Sequence, residues 1–302
     1  MKDNSLNIIQ DKGIPMYFNS LEEISKDFRF YFIGIGGIGM SGLAKIMLTY
    51  GCSVSGSDKK LSDITHDLSK HGATIYNHHS ADNIRDSNVV VYSSAIQEDN
   101  PEITKALELG IPVISRAELL GTITNMSYSI AVAGTHGKTT TSSILAKILY
   151  DASLDPNIIL GGVAPFINSN VYCGKGKYTV FEACEAYGSL SPIHPKIALI
   201  TNLELDHLDY FKSLEHIKSE FYDFITNIPF YGKLYINGDD HNTTSIISKF
   251  YKPIVRFGLH HSNLAFKAID INYSSSGTVF NVTHENKELG TIKTNLFGEH
   301  NV

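Results

Sequence analysis

The chain has 302 residues, of which 42% are hydrophobic and 19% are charged, and its formal net charge at pH 7 is −6. This length suits about two domains with their own cores, and the composition is typical of a globular protein. The negative charge argues against a nucleic-acid-binding surface, which would normally be basic.

Segment 1–13 carries charges and lacks the apolar core of a signal peptide, and no segment approaches the ~18 apolar residues of a membrane span. Cys52, Cys173 and Cys184 are odd in number and widely spaced. They therefore predict neither a disulfide framework nor a CxxC metal site. We expect a protein of the reducing cytoplasm.

Short strands and helices alternate in the first part of the chain. Strands are predicted at 28–33, 52–57, 73–76, 88–93 and 111–115, and helices at 40–50, 61–72 and 101–110. Such alternation predicts an α/β fold with a parallel, doubly wound, Rossmann-like sheet.

The loop after the first strand reads GIGGIG, with Gly34, Gly36 and Gly39 in GxGxxG spacing and Asp58 at the end of the second strand. Taken alone, this is the dinucleotide fingerprint and favours an NAD-linked oxidoreductase, in which Asp58 would accept hydrogen bonds from a ribose. Any diphosphate can use the same loop, however, and the glycines can also serve only to bring the helix close to the strand.

Segment 121–127, GTITNMS, interrupts the pattern with turn and polar residues and predicts a boundary between domains 1–125 and 126–302. Beyond it, strands are predicted at 127–133, 177–182, 196–202 and 233–237, and helices at 140–150, 213–227 and 241–251. After Pro253 the segments are short and β-like. The second half therefore resembles a P-loop-type mononucleotide-binding α/β domain with a β-rich end.

Residues 134–140 read GTHGKTT and lie between a predicted strand and a predicted helix. Gly134 and Gly137 allow a tight turn with inward N–H groups, Lys138 can reach terminal phosphate oxygens, and Thr139 can place a hydroxyl on Mg²⁺. The spacing departs from the general phosphate-loop pattern, because Val132 takes the place of its first glycine. A glycine-rich turn without a ligand is the alternative.

Two further segments carry candidate metal ligands. Glu182 closes the strand YTVFE, and Asp206 and His207 follow the strand KIALITN. Ligands gather at such carboxyl ends of strands, so these groups and Thr139 could hold one or two Mg²⁺ ions. Imidazole is an unusual Mg²⁺ ligand, and both Glu182 and His207 could instead be solvated. The other histidines, including His78, His79, His260 and His261, we expect to be mostly solvated.

Taken together, the chain resembles the Mur ligase family over nearly its whole length. The similar stretches include FYFIGIGGIGMSGLA (30–44), VVVYSSAI (89–96), IPVISRAELL (111–120), AVAGTHGKTTTSS (131–143), ITNLELDHLDYF (200–211) and FGEHN (297–301). The resemblance implies an ATP-dependent ligase of cytoplasmic peptidoglycan precursor synthesis. It would join L-alanine to UDP-N-acetylmuramate through an acyl phosphate.

The resemblance also implies residue roles. The UDP-sugar would face Gly34, Gly36, Gly37, Gly39, Asp58, Ser93 and Ser94. ATP would be bound by Gly134, Thr135, His136, Gly137, Lys138, Thr139 and Thr140. Thr139 and Glu182 would hold one Mg²⁺ and His207 would help to hold a second, so that Lys138, Glu182 and His207 are the catalytic candidates.

Two departures from the family pattern leave alternatives open. The family's EADESD stretch reads EACEAY here, at 182–187, which reduces the local supply of carboxylates. The family also continues past the HN of 300–301 into a third domain that supplies the amino-acid site, and we expect that domain to be absent from these 302 residues. The chain could then be a UDP-sugar and ATP-binding module without ligation, or a related muropeptide ligase. Lys138 and the second phosphate loop disfavour the oxidoreductase.

Overall fold

The computed structural model describes residues 23–24, 28–84 and 86–302. The expectation that segment 1–13 is not a signal peptide lies outside these residues. The described residues form two compact units: those up to 129 together with 139–182 form the first, and residues 130–138 together with 183–302 form the second.

The first unit contains a five-stranded parallel sheet. Its strands are β1 (Arg29–Ile33), β2 (Ser53–Ser57), β3 (Thr74–Tyr76), β4 (Val89–Tyr92) and β5 (Val113–Ser115), in the order β3-β2-β1-β4-β5. The central strand β1 is almost wholly apolar, and Tyr31, Phe32 and Ile33 are fully buried. Strands that are covered on both faces read as continuous apolar runs. The doubly wound α/β prediction is confirmed.

Among the described residues, four helices belong to this sheet: α1 (Ile38–Thr49), α2 (Asp63–Lys70), α3 (Pro101–Glu108) and α4 (Arg116–Asn125). Helix α4 begins at a capping box, in which the Ser115 hydroxyl accepts from the Glu118 N–H and the Glu118 carboxylate accepts from the Ser115 N–H. The prediction that segment 121–127 interrupts the pattern is wrong for residues up to 125. Residues 121–125 belong to helix α4, which buries Ile123 and Thr124. The polar residues of this segment therefore did not indicate that one face of the helix is buried.

Strand β6 (Tyr128–Ala133) leads into helix α5 (Lys138–Asp151), which β7 (Asn157–Ala164), β8 (Ser169–Tyr172) and β9 (Tyr178–Glu182) follow. The sequence did not predict β7 or β8, which pair antiparallel with each other, while β7 pairs parallel with β9. The Asn170 amide donates to the Ile38 carbonyl oxygen over 2.9 Å. This hydrogen bond joins β8 to α1 within the first unit.

The second unit extends from β6 through further parallel strands to an antiparallel end. Its elements are β10 (Ile197–Ile200), α6 (Leu214–Thr226), β11 (Lys233–Asn237), α7 (His241–Ile246), β12 (Ile254–Gly258), β13 (Phe266–Ser274), β14 (Gly277–His284) and β15 (Lys287–Thr294). Strands β6, β10, β11, β12 and β13 pair parallel in that order, and β13, β14 and β15 pair antiparallel. The β-rich end is therefore confirmed. Among the described residues, no helix has the length and apolarity needed to cross a bilayer.

Candidate functional site

The loop between β6 and α5 takes a conformation that requires glycine. Gly134 has φ +132° and Gly137 has φ +78°, in the region that side chains rarely adopt. A Cβ on Gly134 would lie 2.1 Å from the Thr201 hydroxyl oxygen. The backbone conformation at 134 and the lack of room for a Cβ there therefore both require glycine.

The segment after β10 holds this loop in place. The Thr135 N–H donates to the Asn202 carbonyl oxygen over 3.1 Å, and the His136 N–H donates to the Asn202 side-chain oxygen over 2.9 Å. The Thr135 hydroxyl donates to the Glu204 carbonyl oxygen and accepts from the Glu204 N–H. Hydrogen bonds thus hold the loop backbone against the segment after β10, while the side chain of His136 is exposed.

Lys138 is folded back over the same loop. Its ammonium donates to the carbonyl oxygens of Gly134 over 2.6 Å and Thr135 over 2.9 Å. A third hydrogen bond, over 3.1 Å, goes to Glu185 Oε1, and Glu185 Oε2 lies 2.9 Å from the ammonium. The Glu185 side chain is fully buried, so this is a charge pair shielded from water.

Glu185 also contacts His207, whose Nε2 lies 3.7 Å from Glu185 Oε1. His207 has φ +50° and begins a turn in which its carbonyl oxygen accepts from the Tyr210 and Phe211 N–H groups. The Tyr187 hydroxyl donates to the Asp209 carboxylate in the same turn. That hydrogen bond lowers the pKa of Asp209 and raises the pKa of Tyr187.

Glu185 was not among the predicted site residues, although it follows the predicted ligand Glu182 by three positions. The predicted residues Lys138 and His207 are brought together through it. Its place just beyond the carboxyl end of β9 was one signal in the sequence, because ligands gather at such ends. Its match to the second glutamate of the family's EADESD stretch was another.

Thr139 and Glu182 meet within the first unit. The Thr139 hydroxyl donates to Glu182 Oε2 over 2.7 Å, and the Gly161 N–H donates to the same oxygen over 3.1 Å. A Cβ on Gly161 would lie 2.6 Å from this carboxylate. The missing side chain at 161 thus leaves room for Glu182 beside the start of α5, where Thr140 is exposed.

The other glycine loop lies at the carboxyl ends of β1, β2 and β4. Gly34 has φ +81°, and a Cβ there would lie 3.5 Å from the Ser93 Cβ. The Gly36 N–H donates to Asp58 Oδ2 over 2.9 Å. Gly37 is exposed and precedes the first residue of α1, and Gly39 lies in its first turn.

The structure therefore brings the glycine loop, Asp58 and Ser93 together at one sheet edge, with Ser94 exposed beside them. Asp58 also accepts from the Lys60 N–H over 2.9 Å, so each of its carboxylate oxygens accepts a hydrogen bond from a backbone N–H group. Its predicted contact with a ligand ribose stays a prediction.

The sequence did not predict a buried polar cluster around Glu102, which includes His79. His79 was expected to be solvated, but its Nδ1 lies 2.9 Å from Glu102 Oε2 and its side chain is only 10% exposed. Glu102 is fully buried and also accepts from Tyr31 and Ser57. Burial of the Tyr31 hydroxyl and its hydrogen bond to Glu102 raise the pKa of Tyr31.

Cys52, Cys173 and Cys184 are present as thiols. Within the described ranges, no three or more His, Cys, Asp or Glu side chains form a group that could hold a metal on its own. A cation at Thr139 and Glu182 would therefore take its other ligands from bound phosphates or water, which is usual for Mg²⁺.

Residues 29–128 match the family description "Mur ligase family, catalytic domain", and residues 132–302 match "Mur ligase middle domain". The chain belongs to the Mur ligase family. Among curated Mur ligases, the UDP-N-acetylmuramate–L-alanine ligase of Acetivibrio thermocellus is 46% identical over 90% of this chain and 58% of the relative. The enzyme of the same name from Hydrogenobaculum sp. is 44% identical over 91% of this chain and 61% of the relative. The chain thus spans about three fifths of these relatives.

Solved Mur ligase structures show the same fold. UDP-N-acetylmuramate:L-alanyl-gamma-D-glutamyl-meso-diaminopimelate ligase from Neisseria meningitides has a TM-score of 0.82 at 29% identity, covering 91% of this chain and 90% of that one. UDP-N-acetylmuramate-alanine ligase from Thermotoga maritima has a TM-score of 0.78 at 29% identity, covering 90% of this chain and 62% of that one.

Proposed function

We propose that this chain provides the UDP-sugar-binding and ATP-binding parts of an ATP-dependent ligase that joins L-alanine to UDP-N-acetylmuramate in cytoplasmic peptidoglycan precursor synthesis. The names of the relatives at 46% and 44% identity support this choice. The observation that carries it is the loop at 134–138, whose backbone is braced and whose lysine lies against it.

ATP would bind in the domain formed by residues 126–302. The loop and the N-terminus of α5 offer backbone N–H groups to the phosphates, and Lys138 offers an ammonium. A carboxylate oxygen of the sugar's lactyl group attacks the γ-phosphorus, and ADP leaves. The amine of L-alanine then attacks the acyl phosphate carbon, loses a proton and expels phosphate. Such phosphoryl transfer depends mainly on positioning and on neutralisation of charge.

Thr139 and Glu182 fit a Mg²⁺ ion, because a hydroxyl and a carboxylate oxygen lie 2.7 Å apart at the start of α5 and Mg²⁺ prefers oxygen ligands. When bound, the cation would offset the negative charge of the phosphates. His207 would help to hold a second cation. Hydrogen bonds from Thr139 and Gly161 orient Glu182 Oε2 at this position.

The UDP-sugar would bind in the domain formed by residues 1–125. The exposed N-terminus of α1 at Gly37, with Gly34, Gly36 and Gly39, would receive the diphosphate. Asp58 would keep the loop in shape through its bond from the Gly36 N–H, and Ser93 and Ser94 would add hydroxyl groups at the same edge.

A muropeptide ligase is the second candidate. The Neisseria structure is named for that activity, and its match to this chain covers 90% of the Neisseria chain. The two candidates differ in the amine that is joined.

Calorimetric titration of the 302-residue chain tests the proposal. We expect binding of UDP-N-acetylmuramate and of ATP with Mg²⁺, and no binding of NADH. A chain extended to the full length of the curated relatives should then be tested for phosphate release in the presence of both nucleotides, once with L-alanine and once with the tripeptide L-alanyl-γ-D-glutamyl-meso-diaminopimelate. Stimulation by the tripeptide alone would favour the second candidate, and NADH binding without UDP-sugar binding would refute both.

A further inference from the structure

Every proton of the Lys138 ammonium is already engaged within the protein. A lysine ammonium has three donors, and these go to the carbonyl oxygens of Gly134 and Thr135 and to Glu185 Oε1. The lysine that would bind a terminal phosphate is therefore committed to protein acceptors.

The charge of Lys138 is committed in the same way. Glu185 Oε2 lies 2.9 Å from the ammonium, and its side chain is fully buried, while that of Lys138 is 12% exposed. Charges that are shielded from water interact strongly and are little screened by salt. A second carboxylate, on Glu204, lies 3.6 Å from His136 Nε2 in the same loop. The charged side chains in contact with 134–138 thus include the carboxylates of Glu185 and Glu204 as well as the ammonium of Lys138.

Glu185 is also fixed in place. It directly precedes a short 3₁₀ helix, Ala186–Gly188, in which the Ala186 carbonyl oxygen accepts from the Ser189 hydroxyl over 2.6 Å. The hydrogen bond from Tyr187 to Asp209 ties the next residue to the His207 turn. The residues that follow Glu185 are therefore held by hydrogen bonds, and the Glu185 carboxylate itself is fully buried.

We propose that Glu185 is a specificity-determining residue that makes nucleotide binding depend on a divalent cation. Because Glu185 cancels the charge of Lys138, metal-free ATP meets a loop without excess positive charge. ATP that carries Mg²⁺ brings the missing charge with it. This inference rests on the proposed function, since it assumes that the loop at 134–140 binds ATP.

The test is calorimetric titration of ATP into the 302-residue protein, once with excess Mg²⁺ and once with EDTA. For the native protein we expect metal-free ATP to bind at least about tenfold more weakly than Mg·ATP. Glu185→Gln keeps the shape and removes the charge, and it should tighten metal-free ATP binding by about tenfold. Unchanged metal-free binding in a folded Glu185→Gln protein would overturn the inference.

Two further variants isolate the cause. Glu215→Gln removes the carboxylate of an exposed pair with Lys218 on α6 and should leave the metal dependence as it is. Adding Lys138→Ala to Glu185→Gln should abolish the gain, because the released charge is that of Lys138. A gain that persists without Lys138 would contradict the proposal.

If thermal unfolding shows that Glu185→Gln does not fold, ATP binding by the native protein with and without Mg²⁺ still tests the inference. Equal affinity for ATP with and without Mg²⁺ would overturn the inference while leaving ATP binding, and with it the proposed function, in place. Absence of any binding of Mg·ATP would instead refute the proposed function and the inference that depends on it.

Discussion

Replacing Glu102 by alanine should cost the protein about 3 to 5 kcal/mol of its free energy of unfolding. The carboxylate is fully buried and accepts from the Tyr31 hydroxyl over 2.6 Å, the Ser57 hydroxyl over 2.7 Å and the Asn83 amide over 3.1 Å. His79 Nδ1 lies 2.9 Å away. Each buried donor that loses its acceptor costs about 1 to 3 kcal/mol, so the loss of two already approaches the expected total.

Urea unfolding measures this loss, and far-UV circular dichroism is the suitable signal because the chain contains no tryptophan. The midpoint should fall without a change in the slope of the transition. Glu108→Ala is the matched control, since it lies on the same helix α3 but pairs at the surface with Lys105, and it should cost less than about 0.5 kcal/mol. If the two variants lost equal stability, the reasoning about the buried cluster would be wrong.

Four further outcomes are expected. Lys138→Ala should weaken Mg·ATP binding by about 1.5 to 3 kcal/mol, because the loop loses its ammonium and the buried Glu185 carboxylate is left unpaired beside the phosphates. A calorimetric affinity equal to that of the native protein would show that Lys138 does not contribute to ATP binding. Glu182→Ala should raise the Mg²⁺ concentration needed to saturate ATP binding, and an unshifted Mg²⁺ titration would speak against the metal assignment. Gly134→Ala should abolish ATP binding and lower the melting temperature, because its Cβ would lie 2.1 Å from the Thr201 hydroxyl; unchanged melting would show that the loop can move aside. The raised pKa of Tyr31 stabilises the fold below the unfolded value of about 10, and this contribution is lost as the pH rises from there towards the folded pKa. The unfolding free energy of Tyr31→Phe should therefore fall less steeply above pH 10 than that of the native protein. If both proteins lost stability equally steeply, groups other than Tyr31 would cause the decline.

Strands β1 and β4 of the first sheet could be predicted because burial on both faces leaves an apolar run in the sequence. Strands β7 and β8 could not. Gly161 and Gly162 break the apolar run in β7, and β8 reads SNVY, with a buried asparagine at 170. Their pairing depends on contacts that are distant in sequence.

The phosphate loop was predictable because its conformation demands glycine at 134 and 137, and that demand is visible in the sequence. The partner of its lysine was not, because Glu185 lies 47 positions from Lys138. His79 was misjudged for the same reason, since Glu102 stands 23 positions away. Residue type indicates which chemistry is available, but only the tertiary fold decides which groups become neighbours.

The first compact unit has a consequence for the nascent chain on the ribosome, because it draws on two separate stretches of sequence. The hydrogen bond from the Asn170 amide to the Ile38 carbonyl oxygen links these stretches, and a Cβ on Gly42 would lie 2.9 Å from a methyl group of Val171. The face of α1 that β8 covers must stay uncovered until residues 169–172 have been synthesised and have left the exit tunnel. At about 5 to 20 residues per second, translation leaves this face open for several seconds after α1 itself has emerged, a period in which chaperones can bind it.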